Sequence, residues 1–220
     1  MKAETEKLWR SSRFLLAELV VVFLGVYGAF WVDNYREEQD RKERTEQVIL
    51  VLQQDLKDFI DVSGSFVDHV DKGLREWFEA RDRGEMPPPF VFRVYGAEKP
   101  PLSTWEAVRQ AQLAELLQAN LLYELGFYYN EISGIGDRYI RYVEFTESEV
   151  LPLLKTESSS FYREDGSTLL PRFEANMDRL REWNDLSRGT VEWATCLLGR
   201  LESAGESTEP CRTDVGITAM

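Results

Sequence analysis

Residues 14 to 32 read FLLAELVVVFLGVYGAFWV, and the fold turns on how this stretch is read. Its nineteen residues carry one charge, Glu18. At helical rise they reach roughly 28 Å, about one hydrocarbon core. Trp9 precedes the run, and Phe30, Trp31 and Tyr35 crowd its far end, as rings do at headgroup depth. A cleaved signal peptide fits poorly. The apolar run is long for one, and Trp31-Val32-Asp33-Asn34-Tyr35 stands where a small-residue cleavage site belongs. The expectation is a retained transmembrane helix over 14–32, behind a short tail at 1–13 and anchored in the lipid bilayer.

Working outward, the next segment is DNYREEQDRKERTEQ, residues 33–47. It has no Gly or Pro and almost no apolar side chain. Glu37–Arg41, Glu38–Lys42 and Asp40–Arg44 are acid-before-base pairs at i,i+4, the favourable order for a helix. The pattern predicts a charged helical stalk roughly 22 Å long. Beyond it the period changes. Val48, Val51, Leu52, Leu56, Phe59 and Ile60 put an apolar stripe on one face, so a packed core begins.

Within 48–202 the punctuation predicts four to five helices. Ser63-Gly64-Ser65 reads as a break. Phe66, Val70, Leu74, Trp77 and Phe78 give the inward face of a second helix to Arg83. A proline-rich loop at 84–101 follows, containing Phe90 to Tyr95, a short extended piece with no evident partner strand. Ser103-Thr104-Trp105-Glu106 has capping-box spacing and predicts a helix to about Leu117. Asn120 is placed to cap the next, which runs to about Leu154 with a kink at Gly134-Ile135-Gly136. Pro171 suits the first turn of the last helix. That helix carries Phe173, Met177, Leu180, Trp183, Val191, Ala194 and Leu198 inward, with Gly189 a second candidate break. Residues 203–220 are small and polar, a tail. The fold class is therefore all-α: an N-terminal transmembrane helix, a helical stalk and an antiparallel helical bundle.

Charge and cysteine bound the setting. The chain has a net charge of −13, and residues 1–32, which hold Lys2, Lys7, Arg10 and Arg13, are its least acidic part. Such a surface repels phosphate backbones and anionic headgroups, which excludes nucleic acid as a partner. The basic residues closest to the span lie before it, which favours a cytoplasmic N-terminus and a C-terminal domain in the periplasm. Cys196 and Cys211 are the only cysteines. Two readings stay open: a disulfide that ties the tail to the last helix in an oxidising compartment, or two free thiols.

Two segments carry a resemblance. Glu18-Leu19-Val20-Val21-Val22-Phe23-Leu24-Gly25-Val26 through Ala29-Phe30-Trp31-Val32-Asp33-Asn34-Tyr35 places an acid at the entry of the span, a glycine within it and an Asn-aromatic exit. Ser103-Thr104-Trp105-Glu106-Ala107-Val108, through Leu121 and Tyr128-Tyr129-Asn130, has a Trp before a short helix and an aromatic pair closing the next amphipathic run. Together they cover about a third of the chain. In both, the sequence resembles a large group of uncharacterised bacterial single-span membrane proteins. The resemblance implies an N-terminal anchor in the bacterial inner membrane and a helical extramembrane domain. It carries no activity.

No motif of catalysis stands out. There is no G-x-x-x-x-G-K-[ST], G-x-G-x-x-G or H-E-x-x-H. His69 is the only histidine, in Asp68-His69-Val70-Asp71, and reads as a helix surface residue rather than a metal ligand. Catalytic residues, metal ligands and cofactors are expected to be none. Glu18, Val22, Gly25 and Ala29 recur at helical spacing on one face of the span, and Gly25-x-x-x-Ala29 lets another helix approach closely. The expected function is that of a non-enzymatic accessory or scaffold subunit of a larger membrane complex, of the photosynthetic or respiratory energy-transducing kind. Its partners are other membrane proteins, met through the span and the helical domain. The alternative is a membrane-anchored sensor or signalling module with an extracytoplasmic helical domain.

Overall fold

The computed structural model describes the backbone of residues 2–94, 102–164, 166, 168–203 and 211, and side chains from Leu19 onward except those of Val20 and Glu115. The described residues are mostly helical, with no strand beyond an isolated antiparallel bridge between Tyr162 and Leu169. Four α-helices carry the fold: α1 (Lys2–Asp82), α2 (Ser103–Gln110), α3 (Ala119–Phe145) and α4 (Pro171–Glu202). The chain divides into two compact units, Met1–Gln47 and Val48–Met220.

In the first unit, Glu38 and Lys42 form one of the i,i+4 pairs of the charged segment, at 3.1 Å. Among the described residues no helix is long and apolar enough to cross a membrane. The expected span at 14–32 falls partly outside the described side chains, which begin at Leu19.

The second unit is a helical bundle, and its ion pairs give the directions. At one end Arg200 of α4 meets Glu124 near the start of α3, at 2.5 Å. Further along, Arg138 pairs with Glu182, and Asn176 near the start of α4 donates to Thr146, just past α3, at 2.9 Å. So α3 and α4 are antiparallel. On α1, Lys57 reaches Glu202 at 3.0 Å, and Asp71 accepts from Asn184 and Arg188 at 2.6 and 2.8 Å. So α1 is also antiparallel to α4, and parallel to α3.

Two apolar clusters fill the bundle. One gathers Val48, Leu52 and Leu56 of α1, Trp105 and Val108 of α2, the first half of α3 and the last turns of α4. The other gathers Val70 and Leu74, the second half of α3, Phe92, Phe161 and the first half of α4. Fully buried leucines such as Leu52 and Leu56 each contribute about 1.5–3 kcal/mol.

Several local signals are overridden by this packing. Ser63-Gly64-Ser65 does not break α1. Apolar side chains on both sides of it are buried, Leu52 and Leu56 in one cluster and Val70 and Leu74 in the other, and their burial outweighs the ~1 kcal/mol helix penalty of one glycine. The capping box does not form: Ser103 is already helical, Leu102 holds the cap position, and no side chain caps. Trp105, stacked on Tyr129 at 5.1 Å, fixes where α2 starts. That helix ends at Gln110 rather than Leu117, because Gln112 turns left-handed (φ 57°) before a 3-10 turn at Leu113–Leu116. Gln118, not Asn120, precedes α3, and the Asn120 side chain accepts from the Leu121 amide at 2.8 Å. α3 runs through Gly134-Ile135-Gly136 uninterrupted and ends at Phe145, where a wider π turn, Thr146–Val150, takes over. Pro171 opens α4, which continues through Gly189. Val51 and Phe78 point outward, at 52% and 40% exposure, and Val191 and Leu198 only flank a face built by Trp193, Leu197 and Leu201.

The proline-rich segment is held by hydroxyls. Residues 85–94 are extended, and the amides of Phe92 and Val94 donate to the phenol oxygens of Tyr142 and Tyr139, at 3.0 and 2.8 Å. Trp77 Nε1 donates to the Pro88 carbonyl at 2.9 Å, and Tyr162 donates to that of Pro87 at 2.5 Å. Phe90 lies over Gly73 of α1. A Cβ on Gly73 would meet the Phe90 ring at 2.1 Å, whereas one on Gly64, Gly134 or Gly189 would meet nothing within 4 Å. Gly73→Ala is therefore expected to displace Phe90 and destabilise the bundle by about 1–3 kcal/mol. Gly64→Ala and Gly189→Ala are expected to leave stability unchanged or raise it by up to about 1 kcal/mol. Urea denaturation followed by circular dichroism separates them; equal midpoints for Gly73→Ala and Gly64→Ala would contradict this account of the loop.

Candidate functional site

Between the two apolar clusters the bundle holds a pocket that opens to solvent beside the exposed Asp58 and Val62. A cavity of about 380 Å³ lies where α1, α3 and α4 pass one another, wholly within the second unit. Its smallest side chains are Ser63 on α1 and Gly136 on α3, both from stretches that read as helix breaks, and Ser187 and Thr190 on α4. All three helices contribute small residues to the lining, so their backbones continue while their side chains leave space.

The walls are aromatic. Phe59 and Phe66 come from α1, Tyr128, Tyr129 and Tyr139 from α3, and Trp183 from α4. The rings brace one another. Phe59 meets Tyr128 edge-on at 5.7 Å, Tyr139 lies 4.9 Å from Trp183, and Trp183 stacks on Phe92 at 5.6 Å. Spacings of this kind add about 0.5–1.5 kcal/mol per pair beyond burial and hold the walls apart.

Among the described residues, the only charged groups lining the cavity are Asp55 and Asp58, one turn of α1. Asp55 is half-buried and accepts from Tyr129 at 2.6 Å; Asp58 is exposed and accepts from Gln54 at 2.7 Å. Neither has an ion-pair partner among the described residues. Tyr128 is wholly buried and lines the cavity, and its hydroxyl has no hydrogen-bond partner. A phenol left unpaired in an apolar site gives up about 1–3 kcal/mol. Burial pushes the pKa of both Tyr128 and Tyr129 far up, and the Asp55 charge pushes the same way. Burial likewise raises Tyr139 and Tyr142, although the amides they accept from oppose it. All four stay neutral through the physiological range.

This arrangement is an aromatic pocket with a carboxylate pair at one side. Among the described residues no cluster of three His, Cys, Asp or Glu side chains could hold a metal ion. His69 is exposed on α1, tilted against the rings of Phe90 and Phe92.

The residues singled out from the sequence lie elsewhere. The Glu18 side chain is outside the described residues. Val22, Gly25 and Ala29 are exposed on α1, and a Cβ at Gly25 would meet nothing within 4 Å. Cys196 and Cys211 are joined in a disulfide with Cα atoms 5.6 Å apart. The bond ties Cys211 to the outer side of α4, next to the buried Arg200–Glu124 pair, and the Cys211 amide donates to Glu124 at 3.5 Å. No protein-family model, curated sequence or solved structure matches the chain, so no activity reaches the cavity from a relative.

The buried phenols set a prediction. The unfolded chain loses tyrosine protons near pH 10, below the raised folded values, so the folded state holds protons that the unfolded state has released. Their contribution is complete below about pH 10 and falls above it, by about 1.4 kcal/mol per tyrosine per pH unit. The urea midpoint should fall steeply above about pH 10, with part of the tyrosinate absorbance appearing only as the helix signal is lost. Full tyrosinate absorbance in a still-folded protein would contradict the burial of these four hydroxyls.

Proposed function

We propose that this chain is a non-enzymatic, membrane-anchored binding module, a single-span protein whose helical bundle receives a ligand beside the membrane. The cavity is the observation that carries this reading. A bundle that served only as a packed spacer gains nothing from an aromatic-lined pocket of about 380 Å³. Pockets of this size and apolar character are the usual form of small-molecule sites. The cavity is also what favours a sensor or signalling module over a plain scaffold subunit of an energy-transducing complex.

Anchoring is supported by exposed apolar surface. From Leu19 at 69% through Phe23 at 67% to Trp31 at 69%, α1 presents large apolar side chains that nothing covers among the described residues. Surface of this kind seeks lipid or another apolar helix. The Cys196–Cys211 disulfide supports an oxidising compartment for the bundle, hence the periplasmic side of a bacterial inner membrane. Partners on this reading are the bilayer and other membrane proteins docking at Glu18, Val22, Gly25 and Ala29.

Carbonate washing of membranes is expected to leave the full chain in the pellet. Deleting residues 14–32 is expected to release a soluble, strongly helical domain. Release of the full chain would remove the anchor from this proposal. Gly25→Leu should lower recovery of partners in mild detergent several-fold while leaving insertion unchanged, because it adds bulk where two helices must approach. Leu24→Ile, on another face, should do little. Equal behaviour of the two variants would make the span a tether only.

A further inference from the structure

The cavity also carries a charge preference, which rests on its being a binding site at all. Its walls are aromatic, and among the described residues its only charged lining groups are Asp55 and Asp58, with no Lys, Arg or His. Aromatic faces are negative at their centres and attract cations, and ammonium groups are bound in such cages. Asp55 is held in place by Tyr129 at 2.6 Å, so its carboxylate is fixed toward one end of the space. Neither carboxylate is neutralised by an ion-pair partner among the described residues. An anionic ligand such as a fatty acid would meet two like charges and no counter-charge, in a chain of net −13.

We infer that the cavity is a receptor site for an organic monocation: an amine or quaternary ammonium whose apolar body lies among Phe59, Phe66, Tyr139 and Trp183, with its charge at Asp55 and Asp58. At the packing density of protein interiors, about 380 Å³ takes a molecule on the order of 15 heavy atoms. Discrimination comes from three sources. The rings attract the cation, the paired acids set its orientation, and a described lining without basic side chains disfavours carboxylates and phosphates.

The test uses the full chain in mild detergent and three probes of similar size: benzyltriethylammonium, neutral N,N-diethylbenzamide and anionic 4-phenylbutyrate. Binding is read by calorimetry and by the fluorescence of the tryptophans, of which Trp183 lines the site. The ammonium is expected to bind about tenfold or more tightly than the amide, and the carboxylate weakest. The Asp55→Asn/Asp58→Asn double variant keeps an oxygen for Tyr129 and should bring the ammonium down to the level of the amide. Ser187→Leu fills the cavity and should abolish binding of all three, with the helical signal and melting point confirming a folded bundle. Should that variant not fold, Ser63→Leu, from the α1 side, replaces it.

Outcomes separate the two levels of the claim. If the amide or the phenylbutyrate binds best and cavity filling removes it, the site exists and the cation preference is wrong. If no probe binds the wild-type chain, or binding survives both cavity filling and removal of the two carboxylates, the cavity is not the receptor site and the binding-module reading fails with it.

Discussion

The hydroxyl groups of α3 decide how the bundle closes. A tyrosine on a buried helix face brings a large ring into the core and a polar oxygen that must be satisfied there. Tyr129 sends its hydroxyl to Asp55 of α1, and Tyr139 and Tyr142 receive the amides of Val94 and Phe92. One helix thereby fixes the register of α1 and fastens a loop that has no secondary structure of its own. Tyr128 is the exception, since its hydroxyl is buried and unpaired. It lies beside the cavity, where the two apolar clusters fail to meet. The site is therefore continuous with the interaction that organises the fold.

Burial of charge follows a similar division. Arg200 is nearly inaccessible, at 5%, and its partner Glu124 is at 14%. A buried pair of this kind is weak support for stability, because desolvation offsets attraction, but breaking it strands a charge. It sits at the end of α4 where the disulfide brings Cys211 down onto the first cluster. The salt bridges of the outer surface, Lys72–Glu76 among them, are exposed and each contributes little. Geometry in the second unit is set by a few interior contacts rather than by its many surface charges.

Much of the helical architecture is legible in the sequence because apolar periodicity is a strong signal. The stripe from Val48 to Leu56, the aromatic run of α3 and Pro171 at the head of α4 all mark helices that form. Punctuation is less dependable. Ser63-Gly64-Ser65, Gly134-Ile135-Gly136 and Gly189 carry local signals that favour interruption, yet packing on either side outweighs them. Of these, Ser63, Ile135 and Gly136 line the cavity, joined by Ser187 and Thr190 of α4, and that convergence from three helices is a tertiary property no local signal carries. Asp55 and Asp58 were hidden for a related reason. In an acidic chain they look like any solvated helix face, and nothing local tells that aromatic rings from α3 and α4 stand opposite them.

The tyrosine-held loop has a kinetic consequence. Residues 85–94 have no ladder or helix of their own, and by secondary structure alone their amides belong to the fast-exchanging part of a protein. The Phe92 and Val94 protons, however, are held by phenol oxygens rooted in the middle of α3, and the Phe92 ring is buried beside Trp183. Those two amides can open only when the loop lifts from the bundle or α3 itself moves. An irregular segment thus acquires the exchange lifetime of a core helix, and the cooperative unit of this bundle is drawn by its hydroxyls as much as by its helices.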